Sequence, residues 1–517
     1  MLAQEYLRLV CQNLPVVGSI VSAFGELPLS SYLRELSAQS TLSYQPRDDL
    51  IRAVRQYIVP LLGEEVASLA AVELARNPVV VTTNHHGVDY FSQSVQGSIL
   101  VALERIGKGL QPGLVFVFSC GNIPLNASSY PRGLLLYRVP SGKGIGNIPT
   151  RVSIFPDRLK RCVVASAPPI TEPMIAKAKA VLRKMALQGE LSEPLVDTAL
   201  EILDHDYGAT VAAELATYSD QSVIINHRIF RRLFKHLSPA PQLIYLELEQ
   251  IAGALLQSDL SHPGALIRHI LFNPEIRRAI TAQLDEERGC WHCSRLENIL
   301  REDSGAYLKR QAKAGSGTMF FWGIDDFRRR VPLYLAEGKM LVGRNDRGAL
   351  WQLPFTPEAI TEGLRQQRLL PSLFTCFVTV SFARGLVCIG GYFQGRYLAR
   401  MQEAVVTALK EDSVNREICE LVANVRTCSY LDSMLAYMVK VEDRFLVPAG
   451  PMEILSAGGI GEQEMGQMLA LSVREAHLAG LFETVPDAIL PENRTAGWKK
   501  QIAKDLFQLL AERVVAR

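Results

Sequence analysis

The chain has 517 residues, more than one hydrophobic core usually organises, so two or three intimately joined domains are expected. Hydrophobic residues make up 48% and charged residues 21%, which excludes extensive disorder. With 55 basic against 53 acidic residues the net charge is +2, and that balance gives no reason to expect nucleic acid as a partner.

The first 75 residues read as helical, in patterned segments around Glu5–Leu14, Ser31–Leu36, Leu50–Leu62 and Glu64–Arg76. No basic region precedes an apolar core at the start, and nine scattered cysteines form no framework, so a reducing cytoplasm is expected. From Leu9 to Gly25 no charge appears, but Gln12, Asn13, Pro15 and Gly18 interrupt the run. It is also short of the ~20 apolar residues of a span, so no transmembrane segment is expected. A buried or surface-lying helix is the reading, which leaves peripheral membrane contact by the N-terminus open.

Residues 76–170 read as an α/β core. Val79-Val80-Val81 is a β-branched run emptying into Thr82-Thr83-Asn84-His85-His86-Gly87-Val88-Asp89. Phe91–Ile106 reads as a helix and Leu114–Phe118 as a second apolar strand, ending in Ser119-Cys120-Gly121-Asn122. Leu134–Val139, Val152–Phe155 and Cys162–Ala165 are further strand candidates. Residues 171–310 turn helical, a domain or insertion whose helices open at Thr171-Glu172-Pro173, Ser192-Glu193-Pro194 and Asn273-Pro274-Glu275. Leu243–Leu248 reads as a strand or as the opening of a helix through Leu256, and the helix is preferred. Residues 311–460 are mixed, with strands at Thr318–Trp322 and Lys339–Val342 and apolar runs of open type at Phe374–Phe382 and Leu386–Ile389. Residues 461–517 are C-terminal helices. The fold class expected is α/β, a mostly parallel sheet core with a large helical insertion and a mixed C-terminal region.

In open α/β sheets ligands gather beyond the carboxyl ends of strands, so the Asn84–Asp89 turn is the candidate reactive centre. A neutral imidazole takes a proton near neutral pH, and a carboxylate beside it fixes its tautomer. His85 and His86 are adjacent, so their side chains diverge and one faces the site. Asp89 is expected to orient the imidazole and Asn84 to donate a hydrogen bond. Arg132, Arg138 and Arg158 lie near predicted strand ends and are candidates to hold a substrate anion. Cys120 is a weaker candidate for the substrate site or as a nucleophile.

The order of features from Val79 to Phe155 resembles in part the glycerolipid-type acyltransferases, where an Asn-His-x4-Asp motif follows a strand. Asn84-His85 matches the base, Tyr137-Arg138 the arginine block and Ile154-Phe155-Pro156-Asp157-Arg158 the last block. Asp89 comes one residue early, and Asp157 and Arg158 stand where that family has glutamate and glycine. The resemblance implies acyl transfer with His85 as base.

Other motifs carry less. No spaced metal signature occurs, and no metal or cofactor is named by the sequence. A metal site would need at least a third ligand, for which Asp89, His205 with Asp206, or His227 are the candidates. Cys290-Trp291-His292-Cys293 reads as reduced cysteines at a turn in preference to zinc ligands or a redox pair, Arg328-Arg329-Arg330 as a solvated face in preference to an anion clamp, and Gly315-Ser316-Gly317-Thr318 as leading into a strand, the reverse of the dinucleotide-binding order. The function expected is a cytosolic transferase acting on a small anionic metabolite. The alternatives are a metal-dependent hydrolase or oxygenase using the same histidines, and a non-catalytic ligand-binding scaffold. Homo-oligomerisation is left open.

Overall fold

The computed structural model describes residues 1–38, 48–110, 113–137, 145, 148–300, 315–410 and 416–517. Its centre is a parallel four-stranded sheet in the order Val387–Ile389, Val79–Val81, Leu114–Ser119, Gln242–Glu247. Strand side chains alternate between faces, and here both faces are buried, so each strand feeds two cores. Val79, Val81, Val115, Val117, Leu243, Tyr245, Val387 and Ile389 join one core. Val80, Leu114, Phe116, Phe118, Ile244, Leu246 and Cys388 join the other. Phe116 and Phe118 are sealed completely, each stabilising the fold by roughly 2–3 kcal/mol through apolar burial.

The first core is covered by helices that include Leu2–Asn13, Ser92–Gly107, Tyr218–Leu233 and Trp498–Leu510. The second is covered by Asp48–Leu62, Glu64–Arg76, Leu248–Asp259 and Gln394–Lys410. The α/β class is therefore met, with layers that cut across the segments read along the chain. Two of the four strands come from segments expected to be helical or mixed.

Leu243–Leu248 is one correction. Gln242–Glu247 is a strand in six-residue parallel register with Leu114–Ser119, and the helix begins only at Leu248. Apolar residues on both faces make such a strand indistinguishable from a buried helix by periodicity. The segment at Leu134–Val139 forms a strand over Gly133–Leu136, and that at Val152–Phe155 one over Thr150–Ser153. These two pair antiparallel in a ribbon outside the parallel sheet. Cys162–Ala165 makes a single bridge, Val163 to Pro124, and a 3₁₀ turn over Val164–Ser166. Phe374–Phe382 is helical, with a wider turn over Val378–Phe382. Strands also form at Phe321–Ile324 and Met340–Arg344, close to the expected positions.

One buried charge ties the second layer together. Arg384 has no exposed surface and donates to both carboxylate oxygens of Asp49 and of Asp259, and to the Thr379 carbonyl. No single described helix is long and apolar enough to cross a membrane. Leu2–Asn13 and Pro15–Phe24 reach the required length only together, bent by 116°, and they bury Tyr6, Leu7, Val10, Val17 and Val21 in the first core.

Candidate functional site

Beyond the Val79–Val81 strand the chain stays zipped to its neighbour. The Cys120 amide donates to the Asn84 carbonyl at 2.9 Å and the His86 amide to the Cys120 carbonyl at 2.8 Å. This extended pairing sends consecutive side chains to opposite sides. The bend follows at Gly87, whose φ is +119° and where a Cβ would come within 2.6 Å of Pro131. Only glycine fits that conformation in that space.

The helix Tyr218–Leu233 clamps the turn from below. The Tyr218 hydroxyl accepts from the Val88 amide at 2.9 Å and donates to the Pro131 carbonyl at 2.6 Å. Asn226 accepts from the Asp89 amide and donates to the Gly87 carbonyl. Tyr245 donates to the His85 carbonyl at 2.6 Å. Tyr218, Ser222 and Asn226 recur every four residues, a polar stripe on a helix whose other buried positions are mostly apolar. That stripe was legible in the sequence, but nothing there said what it faced.

The two imidazoles part company. His86 has no exposed surface. Its Nδ1 meets the Ser119 hydroxyl at 2.6 Å and its Nε2 the Ser219 hydroxyl at 2.9 Å, and Tyr245 stacks on the ring. Ser219 in turn donates to Glu247 at 2.5 Å. Burial holds His86 neutral, its pKa lowered to about 3, and pushes Glu247 up to about 8, with the neighbouring Glu249 charge adding to the rise. His85 is half-buried on the wall of a cavity of about 650 Å³, with Nδ1 on the Ser129 hydroxyl at 2.8 Å. Its Nε2 has no partner among the described residues. Burial first, and the Arg330 charge second, lower its pKa to about 4, so the ring is neutral at neutral pH.

Asp89 does not orient an imidazole. Its carboxylate accepts from Asn84 at 2.9 Å, the Phe91 amide at 3.0 Å and the Ser94 hydroxyl at 2.7 Å. It ties down the start of the Ser92–Gly107 helix, while burial raises its pKa to about 6. Asn84 donates to Asp89. The one-residue shortening noted in the sequence thus gives a different hydrogen-bond path, and Ser129 occupies the place expected for the carboxylate.

The cavity sits at the carboxyl ends of the Val79–Val81 and Val387–Ile389 strands, bordered by Thr82, Thr83 and Gly391. Its ionisable walls are Arg151, Arg288 and Lys499 against Asp432, Glu483 and Asp487. Burial pushes both Asp432 and Glu483 up to about 7, so each carries a proton part of the time near neutrality. Lys499 is lowered by burial and donates to the Ile148 carbonyl at 3.2 Å. Lys499 and the three carboxylates come from residues 432–499, far along the chain, and no local motif marks them.

The arginines expected to hold substrate are elsewhere. Arg132 braces a turn, donating to the Phe155 carbonyl at 2.9 Å and to Asp157 at 3.1 Å. Arg158 is exposed in the 3₁₀ turn Asp157–Leu159. Neither lines this cavity. Arg138 lies outside the described residues. The Cys120 thiol donates to Glu249 at 3.3 Å, and burial together with the Glu249 charge raises its pKa, the opposite of an activated nucleophile. Burial likewise raises Cys290, and raises Cys293 to about 12.

His227 is buried with its Nδ1 on the Leu243 carbonyl at 3.1 Å, and His205 belongs to the wide helical turn Leu203–Tyr207. Among the described residues no three His, Cys, Asp or Glu side chains are placed to hold a metal ion. No protein-family model, no curated protein and no solved structure matches this chain.

Proposed function

We propose that this chain is a group-transfer enzyme, acyl transfer first among such reactions, with His85 as its general base on a small anionic substrate. The observation that carries the reading is a neutral imidazole tethered at Nδ1 by Ser129, with Nε2 facing a cavity at the carboxyl ends of parallel strands. With Nδ1–H donated to Ser129, the Nε2 lone pair takes the proton of an acceptor hydroxyl. The acceptor oxygen then bonds to the acyl carbon, the bond from that carbon to the leaving group breaks, and the imidazolium returns the proton to the leaving group. Arg151 and Lys499 are the cations on the cavity wall suited to the substrate's anionic group. The metal-dependent alternative needs a third ligand beside His85, and the described residues offer none.

The test offers the purified chain a panel of acyl thioesters with small anionic acceptors and follows thiol release. His85→Ala should lower the rate by roughly 10²–10⁴-fold while leaving the melting temperature unchanged. The acid limb of kcat/KM should lie near pH 4, where the free ring protonates. Full activity in His85→Ala, or no release from any donor by the unaltered chain, would sink the reading.

A further inference from the structure

Three stretches with no evident role in the sequence converge at one place. Arg329 and Arg330 of the triple arginine, Cys290 and His292 of the cysteine turn, and Gly315 through Thr318 all line a cleft of about 1250 Å³. The His292 amide donates to the Ser316 carbonyl at 2.9 Å, and Trp291 bridges Gly317. Gly317 has a φ of +66°, and a Cβ there would stand 1.8 Å from the Cys290 carbonyl oxygen, so only glycine permits this join. The cysteine turn therefore serves as a brace for the glycine loop.

The cleft is cationic on balance, with Lys160 and six arginines set against Glu286, Glu287 and Asp346. Arg161 and Arg329 share the Asp346 carboxylate. Arg288, Arg330, Arg344 and Arg347 line the same hollow, and none forms an ion pair with a described carboxylate. Three of them are held in place without losing charge. Arg330 lies over the Trp322 ring at 4.5 Å and donates to the Asn122 carbonyl, Arg347 lies over Phe327 at 3.7 Å, and Arg288 stacks on Phe393. Arg344 donates Nη1 to the Gly348 carbonyl, while its Nε–H is buried with no acceptor among the described residues. Buried donors normally find partners, so that orphan together with unpaired, pre-oriented guanidiniums calls for an anion from outside.

We propose that this cleft binds a small molecule bearing two or more linked phosphates. Several guanidinium forks around one hollow match the many oxygens of a polyphosphate better than a single carboxylate. The cations line a concavity in a chain of net charge +2, which favours a small polyanion over a nucleic-acid strand. The cleft shares Arg288, Gly289 and Leu373 with the His85 cavity, so a ligand held here by its phosphates reaches the other cavity along that wall. The binding proposal stands without any role for His85.

Titration calorimetry of the full chain with inorganic triphosphate, ATP and a single-stranded RNA tests it at low salt. Triphosphate should bind saturably, with ATP equal to it if the phosphates act alone and tighter if the nucleoside adds contacts. Arg288→Ala with Arg347→Ala should weaken both by at least about 10-fold, and the melting temperature without ligand should not move. Arg365→Ala, which removes an exposed arginine paired with Glu362, and His85→Ala should both bind as the unaltered chain does. No saturable binding below about 1 mM, or equal binding by the double variant, would overturn the proposal. RNA binding far tighter than triphosphate would overturn it in favour of a nucleic-acid surface.

Discussion

His85 and His86 are neighbours in the chain and sit in opposite kinds of place. Below the turn, His86 closes a dry chain of hydrogen bonds from Ser119 through Ser219 to Glu247, in which both ring nitrogens are used. Above it, His85 is held at one nitrogen by Ser129 and borders a cavity with the other. The same side chain is a structural strut in one setting and chemically available in the next. Residue type and position beyond a strand are identical for the two; only unsatisfied hydrogen-bonding capacity beside open space separates them.

The contrast breaks or sharpens under a graded set of substitutions. The largest expected effect is the roughly 10²–10⁴-fold rate loss in His85→Ala at unchanged stability. His86→Ala should do the reverse, lowering unfolding free energy by about 2–4 kcal/mol in chemical denaturation, because buried Ser119 and Ser219 hydroxyls lose their partner. If His86→Ala were as stable as the parent, the sealed network would have no structural role.

Next in size is the pH dependence of that network. The raised pKa of Glu247 means the folded state keeps a proton that the unfolded chain releases. Its contribution is fully present below about pH 4.5 and is lost as pH rises toward about 8. Glu247→Gln, which imitates the protonated acid, should flatten the fall in stability across that window, read from denaturation midpoints at several pH values. An unchanged slope would place the proton elsewhere.

Smaller effects test the open side. Ser129→Ala frees the tethered ring and should lower kcat by roughly 10-fold with little change in KM, as for other residues that orient an imidazole. The smallest difference concerns the arginines. Arg151→Ala should raise KM by about 10-fold, whereas Arg132→Ala, whose guanidinium braces Phe155 and Asp157, should leave KM within about 2-fold. A larger KM effect from Arg132 than from Arg151 would return the anion site to the sequence-based expectation.

The sequence alone determined the local facts. Three valines in a row, and Leu114–Phe118 after them, read as strands because a run buried on both faces needs apolar residues at every position. Glycine at position 87 marked the bend, and the adjacent histidines had to diverge. Tertiary structure decided everything that depends on distant segments. It added strands at Gln242–Glu247 and Val387–Ile389, put Ser129 rather than Asp89 on the imidazole, and brought Asp432, Glu483 and Lys499 to the cavity. The reason is physical: periodicity and spacing report on a residue's own turn or strand. Burial, pKa and open space arise from which remote side chains pack around it.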